Sequence, residues 1–397
     1  MRHYLDHAAT TPLRPEARDA WLDASEMVGN ASSTHGAGQD ARRLLEEARE
    51  RSAAVLDCDP IEVVFTSGGT ESINLALQGL WQARPVGTDA IVMPEAEHHA
   101  TVDTIEALVA AGAVLRAVPV FRTAAIDGRV FADQLPGAAL ATALVANNEA
   151  GTINDAAELA SSAAQALVPL HLDAVSALGH LPLSFRGLRG DAPDALGLVA
   201  MSVAGHKIGA PVGVGALVVA RTARLSALLR GGAQQRGLRA GTQDVAGAAA
   251  FATALELAES ERESETTRLA AMRDRLVDGI LTRVPQAELL GDSSRRLPGN
   301  AHILFPGAVG ESLLFLLDTA GIAASTGSAC QAGVAEPSHV VMAMGRSEQD
   351  ARSVLRFSLG RTSTDADIDA VLAAIADAYA RAVSYTHLRA HETGRNL

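Results

Sequence analysis

Short apolar segments alternate with longer amphipathic ones along most of the chain. From about residue 40 to 250 they are hydrophobic at consecutive positions, as expected for parallel strands buried on both faces. They predict strands at 62–66, 90–93, 114–120, 143–147, 169–173, 198–203 and 215–220. Alanine-rich helical stretches lie between most of these strands. The pattern therefore predicts a wound α/β fold with a mostly parallel seven-stranded sheet.

Helical periodicity dominates after about residue 250. Apolar residues at helical spacing predict a long helix through Leu269, Met272, Leu276, Ile280 and Val284. A last helix is predicted over 365–383, with Thr364 and Asp367 as a capping pair at its start.

This change in pattern suggests how the chain is divided. We expect a large domain over 14–252 and a smaller α+β domain that combines 1–13 with 253–383. The final segment, 384–397, is polar and has no apolar face, so we expect a disordered or non-native tail.

The composition excludes several classes of protein. Apolar residues make up 48% of the chain, enough for a sizeable core, and the formal charge of −13 argues against direct binding to nucleic acid or to an anionic membrane. The two cysteines are too few for a disulfide framework or a usual zinc site. We therefore expect no metal site. No apolar run suits a signal peptide or a membrane span, so we expect a cytoplasmic protein.

Lysine occurs once, at position 207, whereas the other 32 basic residues are arginine. Arginine can replace lysine as a surface charge, but its pKa stays above about 12 and it does not become a neutral nucleophile. A desolvated lysine can lose its proton and condense with an aldehyde to a Schiff base. Chance survival of one lysine explains the count equally well, so the surrounding residues must decide.

Pyridoxal phosphate is an aldehyde that needs a phosphate cradle, an acid at its ring nitrogen and a group over its ring. The turn “FTSGGTESINLAL” precedes a predicted helix, and its glycines and Thr70 suit an anion. Asp173 ends a predicted buried strand, where it is equally suited to cap a helix. His98 and His99 follow another strand, and His206 precedes the lysine.

Ten short segments follow one another between residues 3 and 383, and their order is informative. They are “YLDHAATTP” (4–12), “NASSTHGAG” (30–38), “FTSGGTESINLA” (65–76), “EHHA” (97–100), “NNEAGTI” (147–153), “HLDAVSALG” (171–179), “AGHKIGAPVGVGAL” (204–217), “GGAQQRGLRAGTQDVAG” (231–247), “STGSACQAG” (325–333) and “LRFSLGRTS” (355–363). This order resembles the class V aminotransferase superfamily of fold-type I pyridoxal-phosphate enzymes. The most similar members are the cysteine desulfurases of the NifS/IscS type.

The resemblance implies a role for each matching cofactor residue. Lys207 would hold pyridoxal 5′-phosphate as a Schiff base, and Asp173 would pair with its ring nitrogen. His98 would stack on the ring and relay protons. The expected phosphate ligands are Gly69, Thr70 and His206, together with Thr242 from a neighbouring subunit, which implies a homodimer.

The resemblance also implies a substrate site. Asn148 would lie near the ring oxygen and the substrate carboxylate, and Arg356 would bind that carboxylate through two hydrogen bonds. Two positions depart from the family pattern. Ser176 stands where glutamine usually contacts the ring oxygen, and Ala204 stands where serine often contacts the phosphate. We expect weaker cofactor contacts but the same chemistry.

The two cysteines have different surroundings. Cys330 lies in “STGSACQAGV”, a small-residue segment that we expect to move, whereas Cys58 lies between two acids that raise the pKa of a thiol. We therefore expect Cys330 to be catalytic. The resemblance implies that L-cysteine is converted to L-alanine with a persulfide left on Cys330, for transfer to an acceptor such as an iron–sulfur scaffold or a tRNA-thiolation protein.

Three other classes of protein are alternatives to this interpretation. A selenocysteine lyase or another class V enzyme is the nearest alternative, although transamination needs no cysteine at position 330. A non-catalytic scaffold of the same fold would not need Lys207, Asp173 and Arg356 together. A nucleotide-binding α/β protein would have a G-x-G-x-x-G turn, and the turn here reads S-G-G-T-E-S.

Overall fold

A computed structural model describes residues 2–327 and 336–393, without the side chains of 385–393. The strands of this part of the chain are β1 (His3–Tyr4), β2 (Val63–Thr66), β3 (Ala90–Pro94), β4 (Val114–Val118), β5 (Ala138–Leu144), β6 (Pro169–Asp173), β7 (Gly197–Ala204), β8 (Gly215–Val219), β9 (Glu288–Leu290), β10 (Asn300–Leu304), β11 (Ile322–Ala323) and β12 (Val354–Ser358).

The α-helices of the same residues alternate with these strands in the first two thirds of the chain. They are α1 (Pro15–Ser25), α2 (Gly36–Leu56), α3 (Gly69–Gln82), α4 (His99–Ala110), α5 (Gly128–Gln134), α6 (Ala156–Gln165), α7 (Phe185–Arg189), α8 (Val245–Arg283), α9 (Gly310–Thr319), α10 (His339–Ala343), α11 (Glu348–Ala351) and α12 (Asp365–Thr393).

Seven strands of the described chain form the predicted central sheet, in the order β2-β8-β7-β6-β5-β3-β4. Strand β8 runs antiparallel to both of its neighbours, and the other adjacent pairs are parallel. Six of the strands therefore point the same way, and their carboxyl ends meet at one edge. This is the edge at which open α/β sheets bind ligands.

The predicted bounds of the fourth strand of the central sheet were wrong. We expected it at 143–147, whereas β5 covers Ala138–Leu144 and all of its residues are buried. Its sequence, AALATAL, contains four alanines, which favour helix when judged by propensity alone. Burial between β3 and β6 overrides that preference, because small apolar residues fit a strand that is covered on both faces.

A second hydrophobic cluster forms around an antiparallel sheet of order β12-β10-β9. It includes Leu5, the second half of α8, and apolar residues of α9 and α12. The first half of α8 packs into the core of the large sheet instead. Helix α8 thus runs without a break past 252/253, and the domain boundary stays a prediction.

The ends of the long helices agree with the expected pattern to different degrees. The capping pair before α12 forms, because the Thr364 N–H and hydroxyl both donate to Asp367 Oδ2, at 2.7 and 2.9 Å. Helix α12 continues to Thr393, beyond the expected end at 383. Whether the tail is native stays a prediction. Among the described helices, none has the length and apolar content needed to cross a bilayer.

Candidate active site

A cleft of about 340 Å³ lies at the carboxyl edge of the large sheet and is also lined by the small antiparallel sheet. It brings together nine of the eleven site residues expected from the sequence: Gly69, Thr70, His98, Asn148, Asp173, Ser176, His206, Lys207 and Arg356. The other two do not line it. Thr242 lies exposed in the segment before α8, and Cys330 lies outside the described residues.

Lys207 ends a 3₁₀ turn that follows β7, and its amine points into the cleft wall. The Nζ atom donates to the backbone carbonyl of Ala8 and, at 3.0 Å, to that of Ala9. Burial, helped by the nearby positive charge of Arg356, lowers the pKa of Lys207 to about 8. An amine with this pKa is neutral in an appreciable fraction of molecules near pH 7, as a nucleophile requires.

Asp173 is the last residue of β6 and is only 2% exposed. Its Oδ1 accepts a hydrogen bond of 2.9 Å from the backbone N–H of Val175 within a turn. The described chain begins no helix here, so Asp173 is not the helix cap that the sequence left open. Burial raises the pKa of Asp173 to about 6, against the opposing effects of the Val175 N–H and Lys207. The carboxyl group therefore carries a negative charge at neutral pH and can pair with a buried cation.

The part of the cleft at the start of α3 is suited to an anion. Helix α3 begins at Gly69, so its first backbone N–H groups and the positive end of its dipole face the cavity. A Cβ atom at Gly69 would lie 2.7 Å from Cγ2 of Val175, so the close approach of these two segments requires glycine. Thr70 and His206 add polar side chains to the same wall.

The histidine pair splits into two different environments. His98 caps α4, and its Nδ1 accepts a 3.0 Å hydrogen bond from the Ala100 N–H, which leaves the ring proton on Nε2. Burial, together with the charge of Lys207, lowers the pKa of His98 to about 4, so the ring is neutral at pH 7. His99 also lines the cleft and packs edge-to-face against His339 at 4.6 Å.

Arg356 lies on β12 and is 5% exposed. Its Nη1 donates to the backbone carbonyl of Asn148 at 3.0 Å, and its Nη2 donates to Oδ1 of Asp6 at 2.9 Å. Its Nε and the Oδ1 of Asn148 have no hydrogen-bond partner within the described chain. These unpaired polar atoms beside the cleft suit a ligand that carries both a carboxylate and a donor group.

Several residues at the cleft have no role predicted from the sequence. Asp6 and Glu149 lie inside two of the family segments, “YLDHAATTP” and “NNEAGTI”. Their position in these segments is the sequence signal that could have identified them. His339 lies in no such motif, although it lines the cleft and its Nε2 contacts the backbone carbonyl of Glu97 at 2.7 Å.

Cys58 lies in the hydrophobic core and is 7% exposed. Burial, followed by the charges of Glu62 and Asp59, raises the pKa of its thiol to about 12. The sequence predicts a raised pKa from the neighbouring acids alone, whereas burial is its main cause. Cys58 therefore remains protonated and is unsuited to nucleophilic chemistry.

Where the chain is described, no group of three or more potential ligands could hold a metal ion.

Comparison with known proteins gives consistent results. A family model described as aminotransferase class-V matches residues 3–371. The “IscS-like cysteine desulfurase” of Mycobacterium tuberculosis is 48% identical over 394 residues, which cover 96% of each chain. A solved “NifS-like protein” has a TM-score of 0.87 and 30% identity, over 95% of this chain and 99% of that one. A structure described as “SspA in complex with cysteine” has a TM-score of 0.79 and 26% identity, over 92% and 100% of the two chains.

Proposed function

The chain belongs to the class-V aminotransferase family, as a cysteine desulfurase of the NifS/IscS type, and we propose that its cleft holds pyridoxal 5′-phosphate on Lys207. One observation carries this proposal. The single lysine of the chain is a half-buried amine with a lowered pKa, in a cleft that it shares with a buried acid and a buried arginine.

The residues present fit this cofactor. Lys207 supplies the amine for its aldehyde, and Asp173 supplies a carboxylate for its ring nitrogen. The start of α3, with Gly69 and Thr70, supplies N–H and hydroxyl donors for its phosphate. When bound, the cofactor supplies an electron-accepting ring that weakens bonds at the substrate Cα.

The chain's own groups then bind and orient L-cysteine. Arg356 offers two N–H groups in a planar fork to the substrate carboxylate, which has to share or displace the ion pair with Asp6. Neutral His98 carries its proton on Nε2, so it can donate there and become an acceptor in return. Lys207, with a pKa near 8, can move a proton at its Nζ in the same pH range.

We assign the acceptance of sulfur to Cys330, which lies outside the described residues. The other cysteine, Cys58, is buried and its thiol stays protonated. The Cys330 thiolate attacks the sulfur of L-cysteine and forms an S–S bond, while the Cβ–S bond of the substrate breaks. L-Alanine leaves with the proton that the thiol gave up, and Cys330 retains a persulfide. The atoms balance without an added oxidant or reductant.

The partners and location follow from the same proposal. Thr242 is exposed in the described chain, which leaves it free to contact a second subunit and supports the proposed homodimer. We propose that the persulfide passes to an acceptor protein such as an iron–sulfur scaffold or a tRNA-thiolation protein, in the cytoplasm. A preference for L-selenocysteine over L-cysteine is the alternative within the family.

The choice of cysteine gives a direct test. Purified Cys330→Ser should keep the yellow cofactor band and release no sulfide from L-cysteine in the presence of a reductant. Cys58→Ser is the matched control, and it should keep both the band and the activity, because Cys58 is buried away from the cleft. If Cys330→Ser releases sulfide at the wild-type rate, or if Cys58→Ser alone is inactive, the proposed acceptor is the wrong thiol.

A further inference from the structure

Two described residues on either side of Cys330 in the sequence lie beside one and the same carboxylate, that of Glu149, and one of them binds it. Ser338, eight residues after the cysteine, donates a hydrogen bond of 2.5 Å from its Oγ to Oε2 of Glu149. Gly327, three residues before the cysteine, lies against the same oxygen, because a Cβ atom built on it would be 3.1 Å from Oε2. Described residues shortly before and shortly after Cys330 therefore lie at the same side chain, that of Glu149.

Glu149 is a fixed point on the large-sheet side of the cleft. It is 2% exposed and follows Asn148, whose carbonyl binds Arg356. Its backbone N–H donates to Oδ1 of Asn147 at 2.9 Å, and its carbonyl accepts from Nδ2 of Asn300 at 3.1 Å. A buried residue whose backbone N–H and C=O are both hydrogen-bonded is held in place, so a group that binds its carboxylate is held as well.

The two contacts differ in kind but have the same consequence. The hydroxyl of Ser338 donates to the carboxylate while it accepts from the Val341 N–H, at 3.2 Å, as the cap of α10. A hydrogen bond to an ionised acceptor is among the stronger ones in proteins. At Gly327 the backbone has φ of +89°, and a Cβ there would also be 3.2 Å from Nε2 of fully buried His302. Only glycine combines this conformation with so close an approach.

We propose that Glu149 is a positioning residue for sulfur transfer, which holds Gly327 and Ser338 so that Cys330 can reach the substrate sulfur. The proposal rests on the proposed function, since it assumes that Cys330 accepts the sulfur. Glu149 donates and accepts no proton in this role. The step that it assists is the attack of the Cys330 thiolate on the sulfur of L-cysteine. The Ser338 hydroxyl that binds it lies outside the cleft lining and takes no part in cofactor binding or in the chemistry at the substrate Cα.

The test uses the full-length protein loaded with pyridoxal phosphate and follows three quantities: the cofactor absorbance, the exchange of the Cα proton of L-alanine with D₂O, and the rate of persulfide formation on Cys330 in a single turnover. Ser338→Ala removes the bond to Glu149 and should slow persulfide formation about tenfold, the usual effect of losing a charge-assisted hydrogen bond. The absorbance and the exchange rate should stay unchanged, because Ser338 does not line the cleft.

Ser347→Ala is the matched control, because Ser347 caps the next helix, α11, through the Asp350 N–H and has no bond to Glu149. It should form persulfide at the wild-type rate. Glu149→Gln provides a second variant of nearly the same shape. If the Ser338–Glu149 bond carries the effect, the double variant Ser338→Ala/Glu149→Gln should be no slower than the slower single variant.

The proposal is overturned if Ser338→Ala forms persulfide at the wild-type rate, if Ser347→Ala is slowed equally, or if Cα exchange falls in parallel with persulfide formation. A failure of the proposed function has a different signature, because Cys330 of the wild-type protein would then carry no persulfide at all. That result would overturn both proposals.

Discussion

The two walls of the cleft are built on different principles. The wall of the proposed cofactor site consists of residues at the carboxyl ends of parallel strands, such as Asp173 at the end of β6 and Lys207 after β7. The wall that faces the substrate site takes Arg356 from the middle of an antiparallel strand and Asp6 from the N-terminal segment. One wall is made by strand ends, and the other is made by side chains that meet across the fold.

This difference separates two functions in the molecule. In the proposed function the strand ends would hold a ligand that stays bound, and short local turns such as Gly205–Lys207 fix their positions. In the same proposal the Arg356 side chain would bind a substrate that comes and goes, and it is held by an ion pair with Asp6 and by the carbonyl of Asn148. Changes on one wall should therefore leave the function of the other largely intact.

The largest expected effect that distinguishes the two walls is that of Arg356→Lys. A lysine ammonium cannot reproduce the planar fork of a guanidinium, and losing a charge-assisted hydrogen bond costs roughly 1.5–3 kcal/mol. Since about 1.4 kcal/mol corresponds to tenfold, we expect kcat/KM for L-cysteine to fall roughly 10- to 100-fold. Steady-state kinetics measure this loss, and the cofactor absorbance should not change.

A variant that loses the cofactor band together with its activity would contradict the separation of the walls. The same conclusion would follow if kcat fell while KM for L-cysteine stayed constant, because Arg356 would then contribute to the chemistry and not to the binding of the carboxylate.

A smaller effect is expected on the cofactor wall. Ser176 and Ala204 line the cleft at positions where the family usually carries longer hydrogen-bonding side chains. Ser176→Gln should restore a donor to the ring oxygen and tighten cofactor binding about fivefold, since a typical hydrogen bond contributes roughly 1 kcal/mol. Equilibrium titration of the apo-protein with pyridoxal phosphate measures the change. Weaker binding by Ser176→Gln would mean that this wall is shaped for serine.

The same contrast explains how much the sequence could predict. Consecutive apolar residues predicted the central sheet, and the unique Lys207 and the strand-terminal Asp173 were recognisable because their signals are local. The pairs Glu149–Ser338 and Asp6–Arg356 join residues that are 189 and 350 positions apart. No short pattern encodes such a pair, because it exists only after β10 and β12 have packed against the large sheet. Helical propensity also concealed the alanine-rich β5.

The most direct test of the central claim is the pH dependence of cofactor attachment to Lys207. Apo-protein is mixed with pyridoxal phosphate at pH 6 to 10, reduced with borohydride at fixed times and digested for mass spectrometry, with Lys207→Arg as the control. We predict that the label appears on Lys207, that its rate of formation rises through a pH of about 8, as the amine loses its proton, and that it levels off above that pH. A rate that keeps rising towards the usual lysine pKa of about 10.4, or a label confined to the α-amino group, would contradict the account.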